Sequence, residues 1–235
     1  DAVLSNGEIA RFERLDGAQL ETKMRAEGLE GDIYRQLFAI GEREREEILR
    51  RYPTIQRRVS GYNLDEFVGG SNFDMARFVV GSEGTLATIT EAKLTIVPRP
   101  KVKALSILHF HTLMQAMEAT VRTLEFDPAA VELIDSMILR QARSNLAYSR
   151  IMGFVEGDPE SLLVVEMVGD SIGEVESKQN HLEERMRRDG LTYAINRLTK
   201  ATDQNNVWAV RKAGLGLMMS VTGKAKPLPF VEDTA

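Results

Sequence analysis

Phe78-Val79-Val80-Gly81-Ser82-Glu83-Gly84-Thr85-Leu86 carries two glycines three apart, small hydroxyl residues between and after them, and apolar residues on both shoulders. An apolar run enters this turn and a β-rich segment leaves it. Glycine permits positive φ and lacks the Cβ that would hold a ligand away, and successive N–H groups in such a turn can converge on an anion. A plain β-turn has the same composition. The stretch is therefore either an ordinary bend or a place where bare backbone meets a flat or phosphorylated ligand.

Upstream of it, Val3-Leu4, a Ser5-Asn6-Gly7 turn and Ile9 to Glu13 read as a hairpin, Asn-Gly being the strongest short hairpin signal. From Asp32 to about Arg51 the period becomes helical, with Ile33, Leu37, Ile40 and Ile48 on one side and the pairs Glu46/Arg50 and Glu47/Arg51 four apart. Tyr52-Pro53 ends that helix, because proline disfavours helical geometry in the residue before it. Gly61-Tyr62-Asn63 then sets a glycine beside an aromatic and an amide, and a Gly69-Gly70 loop follows. Downstream of the opening turn, Leu86 to Val97 is rich in Thr, Ile and Val and predicts a strand.

Pro98-Arg99-Pro100 forms an extended connector that neither sheet nor helix crosses, which predicts domains over residues 1–100 and 101–235. Beyond it, strand and helix alternate. Val102 to Phe110 reads as a strand, Thr112 with Gln115 as a capping box, and Leu113, Met117, Val121 and Leu124 as the buried side of the helix that follows. Ala130 to Ile134 is a short strand, with Asp135 or Ser136 capping a helix to about Ala147, and Tyr148 to Glu160 a loop. Leu162 to Val168 is a central apolar strand, Ser171 and Glu174 repeat the capping signature before a helix burying Val175, Leu182 and Met186, Gly190 stops it, and Leu191 to Leu198 returns. The expected fold class is α+β, and this second region has a split-βαβ or ferredoxin-like layout with helices on one face. Met114, Met117, Met186, Met218 and Met219 are expected as core fillers.

With 235 residues, 43% of them hydrophobic, the chain can bury a real core. A formal net charge of −5 argues against a nucleic-acid binder and leaves small molecules or proteins as partners. The absence of cysteine excludes disulfides, thiolate catalysis and cysteine-ligated metal within these residues. His109, His111 and His181 are too scattered for a metal centre, although His109 and His111 can share a strand face. No apolar run approaches a bilayer span. The chain opens on Asp1 and stops within Pro227 to Ala235, which reads as an internal piece of a longer polypeptide. Val207-Trp208-Ala209-Val210-Arg211 holds the sole tryptophan with Arg211 on its helix face. Arg211 there either stacks on the indole or offers its planar fork to a carboxylate.

Arg58-Val59-Ser60-Gly61-Tyr62-Asn63-Leu64 followed by Val80-Gly81-Ser82-Glu83-Gly84-Thr85-Leu86-Ala87-Thr88-Ile89-Thr90-Glu91-Ala92 resembles the distal half of the FAD-binding domain in FAD-linked oxidases of the vanillyl-alcohol oxidase and D-lactate/glycolate dehydrogenase type. Trp208 to Arg211 and Lys226 to Ala235 resemble substrate-domain segments of that group, and the wording of these stretches is similar to large bacterial members with an appended iron–sulfur domain. The resemblance implies the distal part of a two-subdomain FAD-binding domain followed by a ferredoxin-like cap, or substrate, domain that is incomplete at its C-terminus. It implies that Gly81, Ser82, Gly84 and Thr85 approach the flavin or its diphosphate, that Gly61, Tyr62 and Asn63 line the same cleft, and that Arg211 holds the carboxylate of a 2-hydroxy acid of the D-lactate or glycolate class. Hydride then passes from the hydroxyl-bearing carbon to the flavin. The electron acceptor and the base are not named by any residue here. A cytoplasmic place, or one peripheral to the inner membrane, is the corresponding expectation, and any iron–sulfur clusters belong to a domain outside these residues. Ala87 stands where the family has a further glycine, and no glycine-rich diphosphate loop occurs before Gly31, so the chain by itself is expected to hold FAD weakly or not at all. The competing expectation is a non-enzymatic ferredoxin-like module that binds a ligand or a protein.

Overall fold

The computed structural model describes residues 1–55, 61–68, 73–221 and 223. The α+β chain divides between Ile96 and Val97 into two compact units. Residues 56–60, the Gly69-Gly70 loop and the Lys226 to Ala235 segment, on which part of the sequence reading rests, lie outside the described residues.

In the first unit, β1 (Ala2–Val3) pairs antiparallel with β2 (Ile9–Ala10) as the expected hairpin, shorter than its sequence suggests, with Gly7 at φ 86° in the turn. Strand β3 (Arg14–Leu15) is followed by α1 (Gly17–Arg25), α2 (Leu29–Arg43) and α3 (Arg45–Arg51). Helix α1 is absent from the sequence reading, although Asp16 and Gln19 form a full capping box at its start. Helix α3 ends at Tyr52 as Pro53 requires, and its Glu47 pairs with Arg50 and Arg51, whereas no Glu46–Arg50 bond forms. A 3-10 turn at Leu64–Phe67 leads to β4 (Phe73–Asp74), which pairs with β3, then to α4 (Met75–Val79) and β5 (Thr88–Ile89), which pairs with β1. Tyr34, Phe67, Phe73 and Phe78 form the core, with Phe67 stacked on Phe73 at 4.3 Å. The strand expected over Leu86 to Val97 shrinks to those two residues of β5, and Leu94, Ile96 and Val97 stand exposed. Strand propensity is realised only where a partner offers its backbone, and β1 has two residues to give.

The second unit is built on β6 (Val102–Phe110), α5 (Leu113–Thr123), β7 (Ala130–Asp135), α6 (Ser136–Ser144), α7 (Leu146–Ser149), β8 (Ser161–Gly169), α8 (Ile172–Asp189), β9 (Ala194–Leu198) and α9 (Ala201–Met219). The sheet order is β7-β8-β6-β9 and every neighbouring pair is antiparallel. Strands β6 and β8 run opposite one another over nine residues, from Val102↔Gly169 to Phe110↔Ser161.

Side chains alternate across those strands, and both sets are buried. Ala104, Leu108, Phe110, Leu163, Val165 and Met167 pack against α5 and α8, while Leu105, Ile107, Leu162 and Val164 pack against α6 and α9. Helices therefore cover two faces of the sheet, not the one expected, and the near-continuous apolar run of β8 is the sequence mark of a strand buried on both sides. Caps hold the helices as read: Thr112 with Gln115, Asp135 for α6, Ser171 for α8 and Gly190 in the left-handed region at φ 64°. Glu174, however, accepts from the Asp170 N–H at 2.8 Å and not from the cap residue, so only half of that box closes.

The buried side of α5 is the reverse of the expectation. Ala116, Ala119 and Thr123 face the sheet, and Leu113, Met117, Val121 and Leu124 are exposed. Small residues let the helix axis approach the sheet, which the larger set would hold away. Of the five methionines expected in the core, Met186 is buried, Met218 is half-buried, and Met114, Met117 and Met219 are exposed.

His109 is fully buried near the end of β6, its Nδ1 3.2 Å from the Ala194 carbonyl and its Nε2 accepting the Glu156 N–H at 2.9 Å. This arrangement requires the neutral ring protonated at Nδ1. His111 stacks on Tyr193 at 4.3 Å, so both histidines serve packing, and no metal cluster exists among the described residues.

Two outcomes follow from this packing. Leu163→Ala should cost about 2–5 kcal/mol in urea denaturation, while Val121→Ser, at a residue 64% exposed, should change stability by less than about 0.5 kcal/mol. Burial holds the His109 pKa below its ordinary value near 6.5. The unfolded chain then binds the extra proton first, so stability is complete above about pH 6.5 and falls as pH drops through the folded pKa. Urea midpoints measured across that range should decline for the natural chain and decline less for His109→Gln.

Candidate functional site

Two of the segments singled out in the sequence meet within the first unit. Helix α4 starts at Asp74, whose carboxylate accepts the Arg77 N–H at 3.0 Å and the Arg14 Nε–H at 3.2 Å. It ends after one turn, leaving carbonyls without helical partners. The Asn63 side-chain amide supplies the donors, giving its hydrogens to the Arg77 carbonyl at 3.1 Å and the Val80 carbonyl at 3.2 Å. The chain then enters the turn with Gly81 at φ 81°, Glu83 at φ 51° and Gly84 at φ 74°. Gly61, at φ 76°, begins the segment that Asn63 anchors.

A second tie closes the far side of the turn. Thr85 donates both its N–H, at 2.9 Å, and its hydroxyl, at 2.6 Å, to the Ser82 carbonyl. Because the Thr85 hydroxyl proton is used there, the Tyr62 hydroxyl donates to Thr85 Oγ1, at 2.8 Å. The Tyr62 ring lies 5.9 Å from Phe78 of the core, and its carbonyl accepts the Tyr52 hydroxyl at 2.5 Å. Ser82 is buried, and its N–H returns to the Val79 carbonyl at 3.3 Å. The sequence marks Tyr52 only as the stop of a helix and not as a residue of the site. Nothing but its aromatic ring beside Pro53 could have drawn attention to it.

The turn so held keeps donors to spare. Among the described residues the N–H groups of Gly81, Glu83 and Gly84 have no partner. A Cβ built on Gly61, Gly81 or Gly84 would meet nothing within 4 Å, so packing within the protein does not demand glycine there. Positive φ does, at roughly 1–2 kcal/mol for an ordinary residue, and Glu83 already bears such a cost. Open space above three glycine α-carbons, together with unpaired N–H groups, is an arrangement that suits close approach by a planar or anionic ligand. The shoulders of the turn, Phe78, Val79, Leu86 and Ala87, also line an apolar cleft of about 330 Å³ with Phe12 and Leu37.

Arg211 belongs to the second unit, on α9. That helix is seated by Gln204, whose buried side-chain amide nitrogen lies 3.1 Å from each of the Lys103, Leu198 and Thr199 carbonyls, its two hydrogens shared among the three acceptors. Val207, Val210 and Leu217 then pack on the sheet. Gly214 lets α9 lie close to α6, since a Cβ there would come within 3.2 Å of Ile138 Cδ1. Arg211 does not stack on Trp208, which packs against the α6 and α9 core. Its Nε–H donates to Glu132 Oε2 at 2.8 Å. The side chains of this pair are 43% and 36% exposed, so it contributes roughly 0–1 kcal/mol. Glu132 escaped the sequence reading, where its one signal is a carboxylate in the middle of the apolar Ala130 to Ile134 strand.

Residues 99–235 match the family described as FAD linked oxidases, C-terminal domain. The D-2-hydroxyglutarate dehydrogenase of Pantoea ananatis is 30% identical over 245 residues, covering 100% of this chain and 24% of that protein. The enzyme of the same name from Pseudomonas putida is 30% identical over 243 residues, with the same two shares. The glycolate oxidase subunit GlcD of Bacillus subtilis is 35% identical over 83 residues, 34% of this chain and 17% of that protein. The chain thus spans about a quarter of the length of the relatives that it matches from end to end. With more than half of its residues matched by the family, the chain belongs to the FAD-linked oxidases, through their C-terminal domain.

Proposed function

We propose that the intact polypeptide is an FAD-dependent dehydrogenase of a small 2-hydroxy acid, to which this chain contributes one wall of the flavin site and the anchor for the substrate carboxylate. The observation that carries the reading is the hydrogen-bonded junction of Gly61-Tyr62-Asn63 with Gly81 to Thr85, which keeps three backbone donors unpaired beside open glycine α-carbons. These residues fit FAD: the Gly81, Glu83 and Gly84 N–H groups suit phosphate or a ring carbonyl, and Gly61, Gly81 and Gly84 leave room for it. FAD, when bound, supplies the acceptor for the hydride that leaves the hydroxyl-bearing carbon.

The second unit serves as the ferredoxin-like substrate domain, and Arg211 is its carboxylate anchor. An arginine fork matches two carboxylate oxygens and stays charged at every relevant pH. Its role is to bind the acid by its carboxylate, with no part in proton transfer. Among the possible acids, the D-2-hydroxyglutarate type is favoured over D-lactate and glycolate. The Pantoea ananatis and Pseudomonas putida enzymes named for the first match 100% of this chain, whereas the relatives named for the other two match 30% and 34% of it. No helix of the described residues is long and apolar enough to cross a membrane.

In the intact flavin-loaded polypeptide, Arg211→Ala should lower kcat/KM on D-2-hydroxyglutarate on the order of 10- to 100-fold, the worth of a charge-assisted hydrogen bond. The flavin absorption spectrum and flavin content should remain as in the natural protein. Unchanged turnover would remove Arg211 from this role.

A further inference from the structure

A long arginine side chain makes a poor anchor unless something holds it. Arg211 has four rotatable bonds before the guanidinium, and every unproductive rotamer dilutes the one that meets a substrate. Glu132 supplies the restraint. Its carboxylate takes the Nε–H at 2.8 Å, while neither Nη1 nor Nη2 has a partner among the described residues. The Nε bond orients the guanidinium plane and leaves the Nη1/Nη2 edge as the fork that a second carboxylate can fill.

Glu132 is well placed to be rigid. Its backbone sits opposite Val164 in the β7–β8 ladder, between residues paired with Leu163 and Val165. By strand alternation it projects on the same face as Ile134, the face that α6 and α9 cover. Arg211 is fixed from the other side, because Gln204, two helical turns earlier, ties α9 to β6 and β9. A pair this exposed contributes little to stability, so a change in binding on its removal is not expected to come through unfolding.

We propose that Glu132 is a positioning residue that holds Arg211 by Nε, so that the Nη edge is presented to the carboxylate of the 2-hydroxy acid. This rests on the reading of Arg211 as the carboxylate anchor. The Nη1/Nη2 edge offers two parallel N–H donors, a geometry that matches a planar carboxylate better than a spherical anion such as chloride.

The test uses the intact flavin-loaded polypeptide with D-2-hydroxyglutarate as substrate and glutarate, which has no hydroxyl to oxidise, as a binding probe measured by calorimetry. Glu132→Ala should raise KM and the glutarate Kd together, on the order of tenfold or more, with kcat within about twofold and the melting midpoint unchanged. Glu132→Gln, which keeps an oxygen at the same reach, should restore both constants to near the natural values. Glu132→Asp, which keeps the charge but shortens the reach, should resemble Glu132→Ala. A normal Glu132→Asp with an impaired Glu132→Gln would overturn the geometric role, as would a lowered melting midpoint with KM unchanged. Should Arg211→Ala raise KM while all three Glu132 variants leave it alone, the positioning role fails and the anchor stands. Should Arg211→Ala also leave KM and the glutarate Kd alone, the anchor itself fails.

Discussion

The Asn63 side-chain amide is the interaction on which the candidate site depends. A helix of one turn leaves its last carbonyls exposed, and the chain after it is free to leave in many directions. By donating to the Arg77 and Val80 carbonyls, Asn63 caps α4 from a separate segment and sets the direction in which Gly81 departs. Tyr62 repeats the tie at Thr85, with its ring on Phe78 and hence on the core of the first unit. The glycine turn is thus tied at both ends to a packed structure, while the N–H groups of Gly81, Glu83 and Gly84 stay without partners among the described residues.

The second unit shows the same principle with side chains. Its sheet is covered on both faces, so α9 has a defined bed, and Gln204 and Gly214 settle how that helix lies in it. Arg211 inherits its place from this packing and its orientation from Glu132. A polar pair that contributes little to stability thus fixes where the guanidinium of Arg211 stands.

Much of this was legible in the sequence where the signal is local. Capping pairs such as Thr112 with Gln115, the Asn6-Gly7 hairpin turn, the Tyr52-Pro53 stop and the Gly81/Gly84 spacing all act within a few residues, and each appears where the chain announced it. The failures concern properties that a neighbour decides. Leu113, Met117, Val121 and Leu124 form as regular a helical stripe as Ala116, Ala119 and Thr123, and only the distance to the sheet selects the smaller set. Leu86 to Val97 has strand composition but pairs through two residues, because pairing belongs to two segments. The Arg211–Glu132 bond joins residues 79 apart, so spacing around Trp208 suggested an indole partner that the fold does not provide.

In the proposed role, the N–H groups of Gly81, Glu83 and Gly84 are the donors that FAD meets. Amide hydrogen exchange at these three residues, followed in the intact polypeptide with and without FAD, reads that role. Exchange should be fast without FAD and strongly slowed with it, while the Thr85 amide, already bonded to Ser82, changes little. Equal exchange at Gly81, Glu83 and Gly84 in the two states would rule the role out.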